Sequence, residues 1–265
     1  MQSSLTQQKS SSDSTTHTRE QKYRIQTTIP ALASIWWSLK PRSREMLWKD
    51  LPSPAKSAVS SLHWMWYDTK TRDDQNPEHP YKPFPRREYF QRLHELAERE
   101  SILFIEKSRT MMMSWWAVAE DMHYVMTHPP ATVIFWAQDQ DRSVVLRDYA
   151  WVLWENSHPA IKESFPVLRP RERQAFNELE FKSGAKCLAL PGKDPDKIRS
   201  LHPTRLIMDE ACFIENGGEA FDVAISSKVP KVKVISSAAP GWFRMLTKPA
   251  IPDHQGDSNN APAGF

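Results

Sequence analysis

The chain has little of what would place it at once. It holds only two cysteines, Cys187 and Cys212. That excludes a disulfide framework and suits a reducing compartment, with buried structural thiols as the expectation. No apolar run approaches the length of a membrane span. The opening MQSSLTQQKSSSDSTTHTRE lacks the apolar segment of a signal peptide, so a soluble, intracellular protein with no membrane partner is expected. Neither sign of charge dominates: 35 basic and 32 acidic residues leave +3, which permits a nucleic-acid partner without arguing for one. The nine histidines are scattered without metal-ligand spacing. Glycine is scarce, seven in 265 residues, and none falls in IEKSRTMMMSWW at 105 to 116, where the rest of the pattern would call for it.

What is present suffices for a large core. The composition, 40% hydrophobic and 25% charged, is that of a globular domain of ordinary size with extensions. Residues 1 to 28 are rich in Ser, Thr and Gln and are expected to be disordered. Residues 29 to 80 carry IWWSL, EMLW and SLHWMWYD between prolines, which predicts a helical extension of short, proline-broken helices. Residues 81 to 247 are regular. Ile102–Ile105, Val133–Trp136, Leu206–Met208 and Val232–Ile235 read as strands of a parallel sheet covered on both faces. Helical stripes lie between them: Phe90, Leu93, Leu96 and Ala97; Trp115 to Met126; and 140 to 155. This alternation predicts a doubly wound α/β sheet. ELEFKSGAKCLAL at 178 to 190 reads as a β-hairpin inserted into that core, turning at Ser183-Gly184. The tail from 248 to 265 is polar and is expected to lack fixed structure.

The segment at 105 to 116 has the layout of a phosphate loop: an apolar strand, a basic turn, then a hydroxyl at a helix start. Such a loop needs backbone N–H groups and a helix N-terminus facing a polyphosphate, a cation, and a hydroxyl for Mg²⁺. The candidate span is Lys107, Ser108, Arg109, Thr110, Met111, Met112, Met113 and Ser114. Lys107 and Arg109 bring the cations at the front of the loop, and Ser114 is the candidate Mg²⁺ ligand. Without glycine, Met111, Met112 and Met113 must adopt strained backbone conformations. The competing reading is a basic loop entering a buried helix.

TRLIMDEACFIE ends a buried strand on two adjacent carboxylates. At the carboxyl edge of a parallel sheet, Asp209 would hold Mg²⁺ and Glu210 would orient or deprotonate the attacking water. The competing reading is a solvated pair at a strand end. VKVISSAAP ends another strand on Ser236 and Ser237, hydroxyls placed to sense a γ-phosphate. Phosphate loop, Asp-Glu strand and Ser-Ser strand follow one another as the parts of a helicase-like P-loop NTPase do.

In these residues the chain resembles the ATPase domain of the large terminase subunit, the DNA-packaging motor of tailed bacteriophages. KSRTMMMSW at 107 to 115 resembles that family's displaced loop, Lys-Ser-Arg-x-x-x-x-Ser-Trp. Asp209-Glu210 resembles its hydrolytic pair and Ser236-Ser237-Ala238 its coupling motif. The resemblance covers about residues 81 to 246 and implies a RecA-like P-loop fold, ATP and Mg²⁺ as cofactors, and hydrolysis that drives double-stranded DNA into a procapsid. It implies as partners a small terminase subunit, a portal protein and further copies in a ring, in the cytoplasm of a bacterial host. It offers Gln91 as an adenine contact, against a plain solvated helix glutamine. It offers Arg199 as a finger reaching a neighbouring subunit's nucleotide, against a surface arginine. The family's C-terminal nuclease is not expected in this chain, so a fragment, a split subunit or a remnant is implied, with a separate nuclease domain or subunit. Two alternatives stand beside the motor: a non-hydrolysing nucleotide-binding or scaffolding remnant, and another helicase-like nucleic-acid remodeller.

Overall fold

A computed structural model of the chain describes residues 28 to 247. The two terminal tails expected to be disordered lie, Thr28 aside, outside the described residues. The chain begins with short helices α1 (Ile29–Trp36), α2 (Pro41–Asp50), α3 (Ser53–Val59) and α4 (Ser61–His63), followed by a π-helical turn, Trp64–Asp68. Prolines stand in the first turns of α1, α2 and α3. There a missing N–H costs nothing and a fixed φ is an advantage, so proline starts these helices as well as separating them. Strands β1 (Lys70–Arg72) and β2 (Tyr81–Pro83) form a small antiparallel ladder across residue 80, where the sequence suggested a change of unit.

The remaining elements are α5 (Glu88–Arg99), β3 (Ile102–Glu106), α6 (Met113–Thr127), β4 (Thr132–Ala137), α7 (Gln140–Glu155), α8 (Pro159–Ser164), β5 (Glu178–Glu180), β6 (Lys186–Pro191), α9 (Asp196–Leu201), β7 (Arg205–Asp209), α10 (Gly217–Ser226), β8 (Lys231–Ser236) and α11 (Trp242–Thr247). Six strands form one sheet in the order β3-β8-β7-β4-β6-β5, parallel except for the last pair. All four strands read from the sequence are in it.

Their unbroken apolar runs have a direct cause. Val133 and Phe135 of β4 point into one core with α6, α7 and the extension, whereas Ile134 and Trp136 point into a second with α9, α10 and α11. Successive side chains leave a strand on opposite faces, and here both faces are covered by helices. Helix α6 is buried over almost its whole length, so it is apolar nearly all round rather than striped.

The hairpin at 178 to 190 forms, with Gly184 at φ 82° in its turn. It is not an insertion, because β6 pairs in parallel with β4 over six residues and is an integral strand of the sheet. Both faces of β6 are buried, Cys187 and Ala189 on one side and Leu188 and Leu190 on the other. Only β5 is added at the edge.

Register sets the site. Glu106 stands beside Ser236, and Asp209 beside Ile235. Strands β3, β8 and β7 therefore end together, and the segments that follow them meet at the carboxyl edge of the sheet.

Candidate functional site at the sheet edge

The loop from Lys107 to Met112 joins the end of β3 to the start of α6. Without glycine it uses two L-residues in the left-handed region: Thr110 at φ 65° and Met112 at φ 55°. Of the three methionines only Met112 takes the strain expected of them all. Met113 is already the first residue of α6 and is buried. The loop is held from outside, since the Tyr89 hydroxyl donates to the carbonyl of Met111 at 3.1 Å and the Lys107 N–H donates to Ser236 O at 2.9 Å.

Five of the expected side chains meet, Ser114 with Asp209 and Lys107 and Ser237 with Glu210. The Ser114 hydroxyl lies 2.9 Å from both carboxylate oxygens of Asp209. Lys107 Nζ donates to Glu210 Oε1 at 2.6 Å, and its side chain is only 9% exposed. Glu210 Oε2 accepts from the Ser237 hydroxyl at 2.8 Å and from the Ser237 N–H at 3.2 Å. Glu210 itself is in the left-handed region, φ 49°, which turns its side chain out of the strand.

The two neighbouring carboxyls have opposite proton affinities. Burial pushes Asp209 up to about 6; the Ser114 bond opposes this, and the Glu210 charge adds to it. Burial also acts to raise Glu210, but the bonds from Lys107 and Ser237 outweigh it and hold that carboxyl below its ordinary range.

Ser236 and Ser237 do not act together here. The Ser236 hydroxyl is fully buried and accepts the Cys212 N–H at 3.1 Å, beneath the turn that follows β7. The pleat explains the split, because adjacent residues face opposite ways. Ser108 and Arg109 are exposed, and the Arg109 side chain makes no bond among the described residues. Gln91 is exposed on α5 and reaches Glu95 at 3.4 Å. Its neighbour Tyr89, not the amide, touches the loop. Arg199 is exposed on α9 and paired with Asp196 at 3.0 Å, outside the cluster. Both cysteines are free: Cys187 is buried, which pushes its thiol up, and Cys212 is half-buried.

Two residues near the cluster carried no signal in the sequence. One is Tyr89, which lies two positions before Gln91. The other is Tyr149, which stacks on Trp115 at 3.9 Å and 16° and whose hydroxyl feels the Asp209 charge after burial, the larger influence raising it. Each has its partner far along the chain.

The donor set fits Mg²⁺. Ser114 and Asp209 offer oxygen only, and Mg²⁺ takes one or two protein oxygens and completes its shell with water and phosphate rather than needing a protein cage. Accordingly, no group of three or more His, Cys, Asp or Glu suited to a metal occurs among the described residues. No helix among them is long and apolar enough to cross a membrane.

The sequence matches no protein-family profile and no curated protein. Comparison of folds finds similar solved structures. The large terminase ATPase domain of Thermus phage P74-26 aligns over 66% of this chain and 74% of its own, with 15% identity and a TM-score of 0.48. The large terminase of bacteriophage HK97 aligns over 68% of this chain, with 10% identity and a TM-score of 0.52, and this chain spans 37% of that protein. At such identity the second likeness establishes fold and nothing finer. The chain has a mostly parallel α/β sheet covered by helices, a fold like that of the HK97 large terminase.

Proposed function

We propose that the chain is the ATPase module of a viral DNA-packaging motor, hydrolysing ATP to move double-stranded DNA into a procapsid. The observation that supports this most directly is the division between adjacent carboxyls. Asp209 is paired with the hydroxyl that opens α6, and Glu210 is kept ionised by Lys107 and Ser237. Two carboxyls pushed apart in proton affinity mark separate chemical jobs.

Ser114 and Asp209 would hold Mg²⁺, which supplies charge neutralisation on the β- and γ-phosphates when bound. Lys107 and Arg109 neutralise the same phosphates, Lys107 by exchanging Glu210 for a phosphate oxygen. The exposed loop N–H groups and the positive end of α6 receive the polyphosphate. Glu210, released from Lys107, orients the attacking water and accepts its proton. Ser237, bonded to Glu210, reports the change to β8, and buried Ser236 carries it to the turn after β7. Gln91 would meet the adenine if α5 shifts toward the loop. Arg199, exposed on a short helix, is available to a neighbouring subunit's nucleotide in a ring. A small terminase subunit, a portal protein and a nuclease in another domain or chain complete the motor, which works in the cytoplasm of a bacterial host.

The test is steady-state Mg-ATP turnover of the chain beside Glu210→Gln, with and without double-stranded DNA, together with ATP binding by both. Turnover lost in the variant with binding kept is the expected result. Equal, negligible turnover with binding kept would replace the motor with a nucleotide-binding scaffold.

A further inference from the structure

At the opposite edge of the sheet, where β7 and β8 begin, a cavity of about 420 Å³ opens between α5, α6 and the N-terminal helices. Trp37, Arg44, His94, Tyr124, His128 and Arg205 are in its wall. Its charges are unevenly matched. Arg205 gives one N–H to Asp121 at 2.8 Å and lies 3.8 Å over the Tyr124 ring, while its buried Nε has no partner. Asp121 is already shared with Lys233, which is buried beside it. Lys231 donates to the carbonyls of Ala97, Glu98 and Glu100 at 2.8, 3.0 and 2.6 Å, which satisfies its N–H groups and leaves its charge.

Arg44 is the most exceptional. It is half-buried, its guanidinium is 5.4 Å from the Trp37 ring, its Nε is shielded from water, and it has no ion pair or hydrogen bond among the described residues. A guanidinium with one N–H shielded from water and no acceptor leaves a donor unsatisfied, which an anion in the cavity would relieve. The carboxylates facing the cavity are already engaged. Glu120 accepts from Ser61 at 2.9 Å and pairs with His94 at 2.8 Å, and Glu98 is 3.5 Å from the other nitrogen of His94. Burial acts to lower His94, but the Glu120 carboxylate beside it outweighs this and holds the imidazole above its ordinary value. The Tyr124 and His128 rings stack at 4.2 Å beside these cations.

We propose that this cavity is a second anion site that takes the phosphate of a nucleotide, gripped by Arg44 and Arg205, with the Trp37 and His128 rings beside it for the base; Tyr124, covered by Arg205 and His128, holds those two in place. Guanidinium N–H groups suit a phosphate's oxygens, and aromatic faces suit any base. The nucleotide is free or part of a single strand, and the same chemistry serves both. The site is separate from the phosphate loop and stands whether or not that loop hydrolyses ATP.

The experiment follows the imidazole C–H resonances of His94 and His128 while inorganic phosphate, thymidine monophosphate or an oligothymidylate is added. The proteins are the native chain, Arg44→Ala and Lys107→Ala. We expect saturable shifts in the native chain and in Lys107→Ala, with affinity about tenfold weaker in Arg44→Ala. Arg44→Lys, which keeps the charge without the fork, should fall between. Tighter binding of the oligothymidylate than of the monophosphate assigns the site to a strand, and equal binding assigns it to free nucleotide. No saturable shift with any probe would overturn the proposal. So would equal affinity in Arg44→Ala, or binding lost in Lys107→Ala alone, which would place the anion at the loop. Thermal unfolding of Arg44→Ala checks its fold, and Arg44 makes no bond whose loss would unfold the chain.

Discussion

Asp209→Asn should make the protein more stable while disabling its site. Burial raises the Asp209 carboxyl from 3.8 to about 6 in the folded chain. Between those values the folded state keeps a proton that the unfolded state has lost. The group's contribution is therefore fully present below 3.8, declines as pH rises through about 6, and is gone above. At pH 8 the folded chain carries an ionised carboxylate in an environment that disfavours it. The difference corresponds to about 3 kcal/mol, and partial exposure of the residue reduces this to about 1–2 kcal/mol. Asparagine removes the charge and keeps an oxygen to accept the Ser114 hydroxyl. For a chain of this size the gain is a rise of about 2–8 °C in Tm. The assay is thermal unfolding of both proteins in EDTA, from pH 5 to pH 8. The gap should be widest at pH 8 and shrink by about half at pH 5, closing only below 3.8, where both states are protonated. Added Mg²⁺ should then stabilise the native chain and not the variant. A variant less stable than the native chain at pH 8 without metal, or a gap independent of pH, would refute the reasoning.

Three further outcomes are expected. Met112 sits at φ 55°, so Met112→Val, which is β-branched, should lose about 1–2 kcal/mol in urea unfolding. Met112→Gly should stay within about 1 kcal/mol of native, because relief of strain is offset by lost packing and a freer unfolded chain. A Cβ at Gly192 would come within 2.6 Å of Ile214 Cγ2 and 2.9 Å of the Ala137 carbonyl; Gly192→Ala should cost about 1–3 kcal/mol, read in the same assay. Lys107→Met leaves burial less opposed at Glu210, so its carboxyl should titrate higher than in the native chain, as followed by carbon NMR of the side chain; an unchanged titration would remove Lys107 from the account of that carboxyl.

Much of the fold was legible because both faces of the sheet are covered. Runs such as TVIFWA and RLIMD have no other stable place than a buried parallel strand, and their order gave the layout of the site. What escaped was set by partners distant in sequence. Strands β1 and β2 are KTR and YKP, with five of their six residues at least partly exposed, so no apolar alternation betrays them. Lys233 lies buried within β8 because Asp121, 112 residues away, meets it there. The segment 186 to 191 was read as the second arm of an insertion, since Leu188 and Leu190 alternate. Its other face, Cys187 and Ala189, is buried by small residues that give a weak pattern. Ser236, which ends β8, and Ser237 are adjacent in sequence, yet the pleat separates them: Val232, Val234 and Ser236 share one face. Tyr89 and Tyr149 reach the site only through tertiary packing, which no local spacing records.

The arrangement of charges accounts for a loop without glycine. A glycine-rich loop brings backbone close to phosphate from several directions. Here the backbone turns at Thr110 and Met112 alone, and the cation, at the front, is folded back under the sheet edge to Glu210. That position is tenable without ligand only because Glu210 offers an anion; a Lys107 side chain 9% exposed and unpaired would be expelled or deprotonated. The left-handed turn at Glu210 is what carries its carboxylate away from Asp209 and toward Lys107. One strained residue thus does two things. It separates two carboxylates that would otherwise repel each other, and it places an anion against the buried cation. Of the five non-glycine residues in the left-handed region among those described, three, Thr110, Met112 and Glu210, fall in this one cluster, and His202 and Lys228 lie elsewhere; the concentration is what the proposed site would require of its backbone.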